Sequence, residues 1–478
     1  MADSDIERLR DGIDKAWEEA HNFGLDPFPT HFELVPATIM YEFASYSLPG
    51  RFSHWTHGKA YYRQKMQYDF GLSKIYEMVV NTNPSYAFLM EMNNLLQNTF
   101  VVAHVFGHTD FFKNNAYFQH TSRRMIDKVS IHAERITKYE FDHGKAEVER
   151  FLDAVLSIQE HVDYNLLIRE NEPEKKEEKR TKPTTEYDDL WGMDKKAQKV
   201  EEERDRRPGR PVKFPEKPEK DILLFLMRYA PHLQPWQRDI IEIVRTEMLY
   251  FVPQMQTKVM NEGWASTWHS RIMRKLGELE VISDSETIEF AQLHSGVLSP
   301  SRTYLNPYYV GFKMFEDIEQ RWDNPTKEEQ ERFGRKPGQG KQKIFEVREL
   351  ENDVSFLRNY LTEDLVKELD LYLYKKEGDE WVIVEKNWEK VRDGIVASMT
   401  NFGYPFLVVD NGDYRGNREL YIKHLYEGQE LDLLYAEKTL QHVYLLWGRP
   451  VHLETVYEGK RILLSYDGER NSKSTLEK

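Results

Sequence analysis

Apolar residues recur at intervals of three and four through most of the first 340 positions, and at intervals of two through much of the remainder. The first spacing is that of a helix with one buried face, the second that of a half-buried strand. Helices are predicted over Ser4 to Phe23, near Ala60 to Val80, over a long apolar stretch near Tyr86 to Lys113, over Thr121 to Lys138, and through AEVERFLDAVLSIQEHV. Further along, DILLFLMRYA, PWQRDIIEIVRTEMLYF and MQTKVMNEGWASTWHSRIMRKLGEL read as helices too. Pro235 falls in a first turn, where its missing N–H is harmless, and Pro253 marks a break or kink. Between the first two helices lies an irregular stretch, FELVPATIMYEFASYSLPGRFSHWTHGKA, denser in aromatics and histidine than a solvated connector needs. It reads as a loop packed over a site or partner surface.

The helical pattern fails from about Ile168 to Asp221, where charges and prolines crowd out aliphatic residues. Such a segment buries too little apolar surface to offset its ordering entropy. It reads as a flexible connector, with YDDLW as a short docking element in its middle. Past Lys343 the pattern shifts to alternation: DLYLYKK and EWVIVEK, a helix, PFLVVDN and RELYIKHLY, a second helix, then VHLETVY and RILLSYD. Gly, Asn and Asp stand where hairpins need them. The expected fold class is a mainly α N-terminal domain interrupted by a charged connector, followed by a C-terminal α+β domain of ββαββαββ order with helices on one sheet face. The boundaries are 1–167 and 222–342 for the two parts of the helical domain, 168–221 for the connector, 343–470 for the α+β domain, and 471–478 for a disordered tail.

Cysteine is absent from all 478 residues, so any metal here needs His, Asp or Glu. A formal charge of −15 argues against a uniformly basic nucleic-acid surface. The charged N-terminus lacks signal-peptide character, and no stretch approaches the ~20 apolar residues of a membrane span. The expectation is a soluble, cytoplasmic protein.

Candidate chemistry begins with AHVFGH. His104 and His108 are one helical turn apart and share a face, with Gln97 close to the same stripe. In NEGWASTWH, Glu262 and His269 are two turns apart and also face one way. Together the four supply a donor set for zinc or iron. The plain alternative is that the histidines are buried with satisfied nitrogens and that Glu262 pairs with an arginine. The arrangement is similar to zinc peptidases of the His-Glu-x-x-His type, except that Val105 stands where those carry the general-base glutamate. Asp110, His132 and Glu134 are the candidates for a base from elsewhere. A di-iron reading would use the Glu-x-x-His pairs Glu18/His21 and Glu140/His143, which lie in charged surroundings. Nothing in the α+β domain looks catalytic.

Taken in order, HFELVPATIMYEFASYSLPGRFSHWTHGKAY, AHVFGHTDFFKNN, HAERI, PWQRDIIEIVRTEMLYF, KVMNEGWASTWH and NPYYVGFKMFEDIEQRWDNPT resemble the stage V sporulation protein R family, from about residue 8 to 470. The resemblance implies a role in spore cortex formation or, in members from organisms that make no spores, in stress response. It also implies partners: a serine protein kinase and a protein with a von Willebrand A-like domain from the same gene set. It implies no settled reaction and no ligand set. Two functions are open. One is a metal-dependent hydrolase-type enzyme acting on an amide of a cell-wall precursor or peptide, with His104, His108 and Glu262 as ligands. The other is a non-catalytic regulator or scaffold working with the kinase, whose targets could include Thr181, Thr184 and Thr185 in the connector.

Overall fold

A computed structural model of the chain describes residues 3–69, 77–166, 213–300, 304–378 and 380–476. The chain divides into two units, each built from two stretches: Met1–Arg150 with Thr246–Tyr404, and Phe151–Arg245 with Pro405–Lys478. In order the elements are α1 (Asp3–Asn22), β1 (Thr30–Val35), α2 (Ala37–Tyr46), α3 (Trp55–Asp69), β2 (Glu77–Val80), β3 (Ser85–Met90), α4 (Leu95–Asn114), α5 (Met125–His143), α6 (Lys145–Leu156), α7 (Ile222–Tyr229) and α8 (Pro235–Gln256). Next come α9 (Lys258–Glu278), α10 (Asp284–Val297), α11 (Pro307–Asp323), α12 (Lys327–Phe333), α13 (Gly340–Leu350), α14 (Asp353–Tyr360), α15 (Glu363–Glu368), β4 (Leu373–Glu377), β5 (Glu380–Glu385) and α16 (Trp388–Met399). The chain closes with β6 (Leu407–Tyr414), β7 (Glu419–His424), α17 (Leu433–Trp447), β8 (Val451–Tyr457), β9 (Lys460–Tyr466) and β10 (Asn471–Thr475). The expected class holds: a mostly helical N-terminal region precedes a strand-rich C-terminal domain with helices.

The first unit departs from the expected helices where a sheet forms. Residues from Ser85 to Met90 form a strand, and with β1 and β2 they make a three-stranded sheet of order β1-β3-β2. The cause is burial on both faces. Ala87 and Leu89 enter the main core, whereas Phe88 and Met90 enter a second one with Met40, Leu48 and Met125. A strand covered on both sides reads as an unbroken apolar run, which periodicity cannot tell from a buried helix. The same sheet takes up the start of the aromatic stretch as β1, paired in parallel with β3, while α3 stops at Asp69 and Glu77–Val80 is strand.

Helices α4, α9 and α11 form the centre of this unit, and small residues set how closely they approach. A Cβ on Gly107 of α4 would come within 2.6 Å of Ala265 Cα in α9, and one on Gly263 of α9 would overlap the backbone of Gly311 in α11. Around these crossings pack Phe106, Trp264, Trp268 and Phe315, all buried. Pro235 opens α8 as expected, and Pro253 is accommodated in its last turn.

The second unit carries a five-stranded sheet of order β10-β9-β8-β7-β6. All its pairs are antiparallel except β7 with β8, which α17 links as a crossover. Helix α17 packs on β8 and β9, and Trp447 stacks on Phe225 of α7. Two expectations are corrected here. The β4–β5 hairpin is a separate two-stranded sheet belonging to the first unit, with Trp381 and Val384 about half exposed, so it adds no strands to the large sheet. The tail beyond 470 forms β10 instead of being disordered, because the open edge of β9 supplies its backbone partners. Most of the connector, with YDDLW, Thr181, Thr184 and Thr185, lies outside the described residues. Its end is not loose. Glu219 pairs backbone to backbone with Val409 of β6, and Lys213 meets Asp410 at 2.7 Å. No helix among the described residues is long and apolar enough to cross a membrane.

Candidate metal centre

Helix α4 is buried on almost every side from Leu96 to Phe112, so its two histidines have no route to bulk water along their own helix. Asn94 caps its start, and Gln97 closes the reciprocal bond to the Asn94 N–H. That role takes Gln97 out of the histidine stripe, where its spacing had placed it. One turn apart, His104 and His108 stand with ring centroids 4.5 Å apart and planes at 87°.

Helix α9 begins on Asp353, whose carboxylate accepts the Val259 and Met260 N–H groups at 2.9 Å each. Burial pushes that carboxyl up to about 7 despite these bonds. Two residues further, Glu262 points at the histidines. Its Oε2 lies 3.6 Å from His104 Nε2 and 3.4 Å from His108 Nε2. Among the described residues, these three form the one group of three or more His, Asp or Glu whose ligand atoms converge, all within 4.8 Å of one another. Donors about 2.0–2.2 Å from a tetrahedral ion stand roughly 3.3–3.6 Å apart, so both carboxylate separations already fit zinc.

The electrostatics agree. Glu262 Oε2 is buried and makes no hydrogen bond, an expensive state for a carboxylate oxygen unless a cation joins it. Burial works against its charge, yet His104, His108 and Lys258 together hold the carboxyl below its usual range. Burial, reinforced by the neighbouring His104, lowers His108 to about 4, so at neutral pH its imidazole keeps a lone pair. The His108 Nδ1–H donates to Asn261 Oδ1 at 2.9 Å, which directs Nε2 toward Glu262.

His269 lies outside the cluster. Its Nδ1 is 2.8 Å from His104 Nδ1, on the far side of that ring, and its Nε2 is 2.7 Å from His294 Nδ1. Sharing a face with Glu262 brought it to His104, but behind the ligand atom. Burial holds His269 well below its ordinary value and brings His294 to about 4, the latter helped by Arg274. Asn261 and His294 were not foreseen. Asn261 adjoins Glu262 but carries no pattern of its own, and His294 lies in a different helix with nothing local to mark it.

None of the candidate bases joins the three. Asp110 is fully buried, accepting Trp264 Nε1–H and the Asp26 N–H at 2.8 Å each. His132 bonds Glu247 Oε1 at 3.0 Å, and Arg51 donates to the other oxygen at 2.6 Å. Glu134 is exposed on α5. The two Glu-x-x-His pairs also stay apart from any centre: Glu18 pairs with Lys15, His21 bonds the Trp17 carbonyl, and His143 is exposed at the end of α5.

Comparison with known proteins bears on the whole chain. A family model described as SpoVR like protein matches residues 3–404, and one described as SpoVR-like C-terminal domain matches 405–458. The junction between them coincides with the start of the sheet-bearing stretch of the second unit. An Escherichia coli (strain K12) protein described as uncharacterized protein YcgB is 30% identical over 502 residues, covering 96% of each chain. No solved structure matches.

Proposed function

The chain belongs to the SpoVR family, and from that premise we propose that it is a cytoplasmic protein of sporulation, in spore cortex formation, or of stress response, built around a zinc or iron centre of hydrolase type. His104 and His108 would hold the ion through Nε2 and Glu262 through Oε2. One observation carries the reading: a buried carboxylate oxygen with no hydrogen bond, held between two imidazole nitrogens at 3.4 and 3.6 Å. When bound, the ion supplies Lewis acidity toward an amide carbonyl or a water nucleophile. The chain's own residues orient the ligands, with both imidazoles almost fully enclosed and the Glu262 side chain 19% exposed. Three protein ligands are the number that catalytic sites use, leaving a position for substrate or water.

A second reading is favoured by a separate observation. Val105, at the position of the peptidases' base, is fully buried, and Asp110 and His132 are spent on other partners. In that reading the ion secures α4 to α9, and the protein acts as a regulator with a serine protein kinase and a von Willebrand A-like partner. Elemental analysis of the untagged full chain beside His104→Ala/His108→Ala tests the centre that both readings share. Near one zinc or iron per chain, lost in the variant, is expected. A well-folded wild type that stays empty after zinc is added would make both histidines structural. A metal-loaded chain whose double variant keeps the cellular phenotype would leave only the second reading.

A further inference from the structure

Two further imidazoles stand in a row behind His104 of the proposed ligand set. His104 Nδ1 meets His269 Nδ1 at 2.8 Å, and His269 Nε2 meets His294 Nδ1 at 2.7 Å. Each is a nitrogen-to-nitrogen contact at hydrogen-bond length, so one ring of each pair donates and the other accepts. Neutral rings have one N–H apiece, which leaves the row two arrangements. In the outward one, His104 Nδ1–H donates to His269, and His269 Nε2–H donates to His294. In the inward one every proton sits on the other nitrogen, and His104 presents Nε2–H to Glu262.

The ligand role separates them. An inward row would place an N–H on His104 Nε2, the atom that faces Glu262 Oε2 at 3.6 Å, beyond hydrogen-bond length, and would leave no lone pair there. The outward row leaves a lone pair on Nε2, as a ligand requires. His108 has the same arrangement by simpler means, since Asn261 Oδ1 can only accept. We infer that His269 and His294 are positioning residues: they keep the His104 proton on Nδ1 and so present the Nε2 lone pair to Glu262 and His108. The two ligands are thus oriented by different devices, one amide for His108 and a two-histidine chain for His104. His294 is half-buried on α10, so the chain runs from the fully enclosed His269 toward the surface of that helix.

The inference rests on the metal reading for its purpose, and its test separates the two. Zinc affinity of the full chain, measured by competition with a chromophoric chelator, should fall about 10–100-fold in His269→Phe, which removes the acceptor. His269→Asn places Oδ1 where Nδ1 was and should recover most of that loss. His294→Phe, at a half-buried position that tolerates change better, should weaken zinc binding less than His269→Phe. Affinity equal to wild type in His269→Phe and His294→Phe, or His269→Asn as weak as His269→Phe, would overturn the assignment. Nitrogen-15 NMR of histidine-labelled, metal-free protein, with the His104 signal identified by its loss in His104→Ala, reads the tautomer directly. A proton on Nδ1 upholds the positioning role even in a chain that binds no zinc, and a proton on Nε2 refutes it whatever the metal content.

Discussion

Buried groups of histidine and glutamate occur in both units, and two of them differ in what is left over. In the second unit His452 donates or accepts at both nitrogens, with Ser465 Oγ at 2.8 Å and Glu419 Oε2 at 2.9 Å. Beside it Glu454 accepts from Tyr421 at 2.6 Å and from two nitrogens of Arg461. On paper Ser465, His452 and Glu419 have the residue types of a hydrolytic triad. Yet the serine and histidine are direct cross-strand partners on β9 and β8, and the imidazole capacity is fully used within the sheet. In the first unit His104, His108 and Glu262 are as deeply placed, and there one carboxylate oxygen has no hydrogen bond. Residue type and burial do not separate these two groups; the bonding left over at Glu262 Oε2 does.

The comparison breaks most easily at the helix crossing. Gly311→Val should cost roughly 3 kcal/mol or more, since a Cβ there meets the Val259 carbonyl and the Gly263 backbone, neither of which can turn aside. Chemical denaturation with and without zinc would show stability and metal response falling together, while a variant as stable as wild type would mean that α9 and α11 need no close approach. Next in size is Glu262→Gln. Zinc affinity should fall at least about 100-fold, with the metal-free unfolding midpoint nearly unchanged because Oε2 makes no hydrogen bond to lose. The opposite profile belongs to His452→Phe: no change in metal content, and a loss of about 1–3 kcal/mol from stranding Glu419 and Ser465.

The smallest effect sharpens the same contrast by pH. Burial lowers His452 even though Glu419 opposes it. The unfolded chain therefore takes up a proton near pH 6.5 while the folded chain resists it. The stability contributed by neutral His452 is present above that pH and is lost as pH falls below it. Denaturation midpoints at pH 7 and pH 5 should differ less in His452→Phe than in wild type, and an unchanged difference would mean that the ring is already charged in the fold.

How far the sequence reached depends on the distance between partners. His104 and His108 were legible because a single helix fixes their shared face, and Glu262 because α9 keeps an unbroken period of 3.6. The sequence could not say that His269 would meet the back of His104, since that depends on how α4 and α9 cross, which Gly107 and Ala265 settle. Strand β3 was hidden by having two buried faces and β10 by having none, with NSKST held by its backbone pairing to β9 and by Lys473 over the Tyr457 ring. The order of elements after 372 was readable, but the membership of the β4–β5 hairpin was not, because pairing is a choice among edges that alternation leaves open.

Asp221 caps α7 by accepting the Leu224 N–H at 2.8 Å, and it also ties two distant stretches together. Its Oδ2 accepts the Asp163 N–H at 3.2 Å and Arg245 Nε–H at 2.9 Å, and the adjoining Ile222 N–H donates to the His161 carbonyl at 3.0 Å. The stretches on either side of residues 167–212 are thus fastened to each other at one spot, by bonds that do not involve the residues between. For protein engineering this is a natural port. A fluorescent module or affinity handle spliced between 166 and 213 would enter and exit through neighbouring anchors.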